Sequence, residues 1–137
     1  MSLIRRNALH ILIGSVIAVI GGEAIAATAP TPAPALKGVV IAESSQISEG
    51  STKIVEAKDN NGNNQSFAIG RFGGKISVLN TVCTHQGCLV QAAGADLVCP
   101  CHDSKFSGFD GAVQRGPAVR SLMVLRSLEE GGEIILL

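Results

Sequence analysis

Four cysteines and two histidines crowd into twenty residues of this 137-residue chain, Cys83-Thr84-His85-Gln86-Gly87-Cys88 and Cys99-Pro100-Cys101-His102. The chain has no other cysteine, and its third histidine is His10. Each cluster holds two Cys and one His, in the orders C-x-H-x-x-C and C-x-C-H. Thiolates and imidazoles in short clusters are what an iron or zinc site requires. Six such groups exceed the four that a tetrahedral zinc takes. Two disulfides would consume every cysteine and leave His85 and His102 without a role. Haem attachment is excluded, because Cys99-Pro100-Cys101-His102 is one residue short of C-x-x-C-H. The chemistry is therefore that of a metal centre. Which metal it is, and which of the six groups bind it, stay open at this level.

The elements that must position these residues read as β. Gly38 to Ala42 is a short apolar strand, and Ser51 to Ala57 alternates as a half-buried strand does. Asp59-Asn60-Asn61-Gly62-Asn63-Asn64 is a dense turn signal, with Asn61-Gly62 suited to a hairpin whose second strand is Gln65 to Phe72. Gly73-Gly74 turns the chain into Lys75 to Asn80, which leads to the first cysteine. Leu89 to Ala92 and Asp96 to Cys99 flank a turn at Ala93-Gly94-Ala95. Val119 to Leu128 and Glu133 to Leu137 flank another at Glu129-Glu130-Gly131-Gly132. No stretch after residue 37 has a helical period, and no internal repeat stands out. Many short strands with regular turns predict an all-β sandwich or partly open barrel.

Composition narrows the function. Formal net charge is zero and no basic stripe exists, which argues against nucleic acid as a partner. Four Phe, no Trp and no Tyr leave a thin core that gains from a metal or disulfide staple. Arg5-Arg6, an apolar run from Ala8 to Gly22, and the small-x-small patterns Ala24-Ile25-Ala26 and Ala27-Thr28-Ala29 describe an export signal. The arginine pair resembles a twin-arginine signal, with Ala8 where Phe is usual. The run from Asn7 to Gly22 falls short of the roughly 20 apolar residues of a comfortable membrane span. Residues 1–26 are thus an export signal or N-terminal anchor, residues 27–36 a Pro/Ala-rich linker, and residues 37–137 the functional domain. Either reading places that domain on the periplasmic or lumenal side, where disulfides persist.

The two Cys/His clusters, extended to Asp103-Ser104-Lys105-Phe106 and followed by Gly116-Pro117-Ala118, resemble the two cluster-binding loops and the proline loop of Rieske iron–sulfur proteins. The resemblance covers about residues 37–137 and is strongest over 80–118. It implies a Rieske-type antiparallel sandwich with a small cluster-binding subdomain of two loops. It implies a [2Fe-2S] cluster with Cys83 and Cys99 on one iron and His85 and His102 on the other, and a Cys88–Cys101 disulfide. Histidines in place of two thiolates bring less negative charge to the iron and raise the potential, to roughly −150 to +300 mV. The disulfide is the mark of the quinol–cytochrome oxidoreductase type and implies the upper part of that range. Ser104 matches the position whose hydroxyl bonds a bridging sulfide. Phe106 stands where high-potential members have Tyr, which implies a lower potential here. Gly116 and Pro117 match the loop that covers the cluster from a third side. Gln86 stands where quinol-oxidising members commonly have Leu, so the exposed tip is more polar.

One-electron transfer follows as the expected function, with the chain a subunit of an oxidoreductase complex and no catalyst on its own. The first expectation is the iron–sulfur subunit of a quinol–cytochrome c or plastocyanin oxidoreductase, with a cytochrome b or c type partner and quinol. The alternative is a free-standing exported carrier, or the small subunit of another periplasmic oxidase such as a molybdenum enzyme. No nucleophile–base pair and no phosphate-cradling loop points to other chemistry.

Overall fold

The computed structural model describes residues 37–137. The export segment, the linker and His10 lie outside the described residues. Strands β1 (Val39–Glu43), β11 (Glu133–Leu136) and β10 (Ser127–Glu130) form one antiparallel sheet, in that order. A second sheet runs β2 (Ser51–Lys58), β3 (Asn64–Phe72), β4 (Lys75–Asn80) and β9 (Val124–Leu125). A third runs β5 (Gln91–Ala93), β6 (Asp96–Val98), β7 (Lys105–Ser107) and β8 (Val113–Arg115). The only helical element among the described residues is a 3-10 turn at Ser44–Gln46.

β3 and β4 form the middle layer, and their sequences show why. Phe67-Ala68-Ile69-Gly70 is a continuous apolar run, as a strand covered on both faces must be. Phe67, Ile69 and Val78 point into one core with Ile41, Ile134 and Leu136 of the first sheet and with Ile47 just after the 3-10 turn. Ala68 and Leu79 point the other way, into a second core with Cys83, Val90, Leu97, Cys99, Phe106, Ala118 and Leu122. Two of the four phenylalanines, Phe67 and Phe106, anchor one core each at 1% and 0% exposure. Each such side chain contributes about 1.5–3 kcal/mol by burial. Cys83 and Cys99, two of the expected ligands, are thus core residues of the second cluster.

Local chemistry sets the turns. The Asp59 carboxylate accepts the N–H groups of Asn61 at 2.8 Å and Asn63 at 2.9 Å, and Gly62 takes φ +83°. This closes the β2–β3 hairpin and aligns Ser51 with Arg71 through Lys58 with Asn64. The third sheet sits against the second where Gly70 and Gly108 meet. A Cβ on Gly108 would overlap the Thr52 methyl and the Ala95 carbonyl, so only glycine fits there. The Thr52 hydroxyl donates across the same junction to the carbonyl of Gly94 at 2.9 Å.

Two strand expectations change. The continuous strand expected over Val119 to Leu128 is broken in three. Val119 to Met123 is not strand, β9 pairs with β4 for two residues, and β10 then pairs with β11. The reason is that the segment crosses between cores: Leu122 packs in the second and Leu125 against the first. Val119, apolar in type, is 89% exposed in the irregular stretch. The hairpin expected beside the two cluster-binding loops, β5 and β6, is extended into a four-stranded sheet. Its β7 and β8 are only three residues long and carry no strand signal of their own.

Candidate metal centre

The two Cys/His clusters fold into loops of the same shape. Loop 1, Cys83 to Cys88, is closed by Cys83 N–H to the Cys88 carbonyl at 2.7 Å and Gly87 N–H to the Cys83 carbonyl at 2.9 Å. Loop 2, Cys99 to Ser104, is closed by Cys99 N–H to the Ser104 carbonyl at 2.8 Å and Asp103 N–H to the Cys99 carbonyl at 2.9 Å. The flanking pairs also correspond, Val82 with Leu89 and Val98 with Lys105. Each loop is a hexapeptide hairpin whose fifth residue is left-handed, Gly87 at φ +80° and Asp103 at φ +60°. The first residue of each is a buried cysteine. The apparent absence of a repeat in the sequence conceals this one, because C-T-H-Q-G-C and C-P-C-H-D-S share only the initial cysteine position by position.

The six soft groups divide in two ways. Cys88 and Cys101 form a disulfide that bridges the loops. Cys83 and Cys99 remain free thiols, 1% and 2% exposed. The Cys88, Cys99 and Cys101 sulfurs lie within 4.8 Å of one another, so the bridge is packed against one of the free thiols. His85 and His102 are exposed, with ring centroids 5.0 Å apart and planes nearly perpendicular. The arrangement therefore faces two buried thiols towards the interior and two imidazoles towards solvent at one tip.

Burial pushes the Cys83 thiol up, and the neighbouring Cys99 thiol adds to this. The backbone N–H groups of His85 and Gln86 point at the Cys83 sulfur and pull the other way. Donors aimed at a sulfur stabilise its thiolate, the form that binds metal. A donor set of two thiolates and two imidazoles, with the other cysteine pair withdrawn into a disulfide, fits a [2Fe-2S] group of mixed ligation.

A third segment completes the wall. Gly116 and Pro117 are exposed and Ala118 is buried. The Ala118 N–H donates to the fully buried Ser104 hydroxyl oxygen at 2.9 Å, which ties this segment to loop 2. The Thr84 hydroxyl donates to the Arg120 carbonyl at 2.6 Å, which ties it to loop 1. Thr84 and Arg120 carry no signal in the sequence, since residues 36 apart meet only through the fold. Because Ser104 accepts from Ala118, its own proton is free to donate elsewhere. Phe106 is fully buried beside the thiols. Gln86 and Asp103 sit exposed on the rim. An open groove of about 500 Å³ runs beside His85, lined by Val82, Thr84, Gln86, Arg120 and Met123.

Known proteins agree with this geometry. Residues 37–128 match the Rieske [2Fe-2S] domain family. The chain is 31% identical over 143 residues to the cytochrome b6-f complex iron-sulfur subunit of Chlorobaculum thiosulfatiphilum, covering 96% of this chain and 74% of that protein. It is 47% identical over 69 residues to the corresponding subunit of Synechococcus sp. (strain JA-3-3Ab), covering 49% of this chain and 37% of that one. Among solved structures, the plasma membrane Rieske protein of Synechocystis PCC 6803 superposes with a TM-score of 0.56 at 25% identity, over 74% of this chain and 99% of that one. The ferredoxin of Sphingomonas yanoikuyae B1 shares the fold with a TM-score of 0.58 at 18% identity, over 73% and 97%. The chain belongs to the Rieske [2Fe-2S] family, and it transfers electrons through a cluster of that type.

Proposed function

We propose that Cys83, His85, Cys99 and His102 hold the cluster, and that the chain serves as the iron–sulfur subunit of a membrane quinol–cytochrome c or plastocyanin oxidoreductase. The observation that supports the ligand set most directly is the division of the cysteines. Two are free and buried, one at the head of each matched loop, while the other two are spent on the bridge. The disulfide and the likeness to cytochrome b6-f iron-sulfur subunits favour the quinol-oxidising assignment over a dioxygenase-type carrier.

When bound, the cluster supplies one reversibly transferred electron. The chain does the rest. Cys83 and Cys99 exclude water from the inner side by their burial. His85 and His102 present their ring edges to a partner at the exposed tip, and the nitrogen that each ring leaves free holds a proton that can depart with the electron. The Ser104 hydroxyl accepts the Ala118 N–H and would have its proton left to donate to the bound cluster, favouring added negative charge. Gly116 and Pro117 close the third side, and the Cys88–Cys101 bridge keeps the two loops in register. In this reading residues 37–137 are the redox head, residues 27–36 its tether, and residues 1–26 an export signal or anchor that puts the head in the periplasm or lumen.

A second reading is an exported carrier, or the small subunit of a periplasmic oxidase such as a molybdenum enzyme. Exposed Gln86 at the docking tip favours it, since an amide suits a polar partner surface better than a quinone pocket. Low-temperature EPR of the dithionite-reduced protein tests the metal centre. A Rieske-type signal is expected from the native chain and its loss from Cys83→Ser and His102→Ala, while a retained signal in either variant would refute the ligand set. Co-purification with a cytochrome b type partner separates the first reading from the second.

A further inference from the structure

Loop 2 departs from loop 1 at the position where their shared shape is most demanding. The left-handed fifth residue is glycine in loop 1 and Asp103 in loop 2, and Asp103 is the only non-glycine residue with positive φ among the described residues. Glycine takes this conformation freely, whereas an aspartate must be held in it. Arg115 supplies the hold. Its Nη2 donates to Asp103 Oδ2 at 2.6 Å, and its Nε donates to the Asp103 carbonyl at 3.4 Å. Arg115 is the last residue of β8 and directly precedes Gly116-Pro117. The pair therefore links loop 2 to the start of the proline loop, one residue from His102. Without it, the Asp103 carboxylate would be an uncancelled negative charge at the rim of a centre that must accept an electron.

We propose that Arg115 is a positioning residue that acts through Asp103: it pins the left-handed corner of loop 2 and cancels the carboxylate charge beside His102. The inference rests on His102 as a cluster ligand. Because both side chains are more than half exposed, at 57% and 70%, the charge effect is open to screening by salt.

The test is a double-mutant cycle on the full-length holoprotein, with Arg115→Gln, Asp103→Gly and the double variant. Asp103→Gly keeps a residue that adopts the left-handed corner without needing a clamp. Arg115→Gln is expected to lower the midpoint potential at low salt, and less so at high salt. In the Asp103→Gly background the same substitution is expected to shift the potential less, because the charge of Arg115 still acts there but no strained corner remains to be pinned. Iron release to a chelator should quicken roughly two- to fivefold in Arg115→Gln, the range that an exposed ion pair supports, and return towards the native rate in the double variant. An unchanged potential in Arg115→Gln overturns the proposal. So does an equal shift in both backgrounds, which would mean that Arg115 acts by its own charge and not through Asp103. Failure of the metal-centre reading is distinct, because the native protein would then show no Rieske EPR signal at all.

Discussion

Ser104 and Phe106 lie two residues apart on loop 2 and β7, and both are fully buried, Phe106 in the core that holds the two free thiols. Their chemistry pulls in opposite directions. Ser104 offers a hydroxyl that accepts the Ala118 N–H and keeps its own proton available to donate. Phe106 offers only a ring, in a position where a phenol would add a second donor. A donor to a ligand sulfur stabilises the more negative, reduced state. Phe106→Tyr is therefore expected to raise the midpoint potential in protein-film voltammetry, and no rise would remove this account of how the residue acts. The roles proposed for Ser104 and Phe106 come from their order in the motif. Thr84 and Arg115 were not, because a hydroxyl on a distant carbonyl and a guanidinium on a loop corner leave no trace in local spacing.

The matched hairpin loops depend on links that strand pairing does not supply. The Cys88–Cys101 bridge closes a separation of 13 residues. A loop of that size restricts the unfolded chain enough for about 2–4 kcal/mol of stability. Cys88→Ser with Cys101→Ser should lower stability by that amount in denaturant titration and hasten bleaching of the visible spectrum; an unchanged midpoint would deny the bridge its stapling role. Between strands, Asp96 of β6 is held below the usual carboxylate range chiefly by the hydrogen bond from Lys105 of β7, with Gln114 of β8 adding to it. Glu129 of β10 is lowered chiefly by Arg71 of β3 and then by Ser44. A carboxylate with a depressed folded pKa stabilises the fold above its unfolded value, and that contribution is lost as pH falls through the folded value. The melting temperature should therefore hold near neutral pH and decline as acid passes below about pH 4, the unfolded range. Asp96→Asn should melt lower than the native protein at neutral pH and differ less from it in acid. A constant difference across the series would exclude the ion pair as the cause.

For the molecule as a whole, three sheets place the redox tip at one end and leave β3 and β4 as a layer shared by both cores. In the proposed reading residues 27–36 tether the head, and the fate of residues 1–26 decides how the head is held. Intact-mass spectrometry of the protein from its native host tests the anchored reading. That reading expects the N-terminal segment to be retained in the membrane fraction. A mature terminus between Ala27 and Pro30 would sink it and support the exported carrier.

Much of this was available from residue types in order. C-x-H-x-x-C, C-x-C-H and G-P-A in sequence specify the family, since few other chemistries need that set. The hairpins at Asn61-Gly62 and Gly73-Gly74 were equally plain, because glycine freely takes the left-handed backbone that Gly62, Gly73 and Gly74 adopt. The broken strand at Val119 to Leu128 was hidden, because its apolar residues serve two different cores and so lose a single period. The likeness of the two loops was hidden too, since it resides in hydrogen bonds donated by the backbone N–H groups of Gly87 and Asp103, two residues of unlike type. Composition and spacing gather six groups able to bind a metal. Only the packed chain brings Arg115 to Asp103 and Ala118 to Ser104, because those contacts join segments that nothing local holds together.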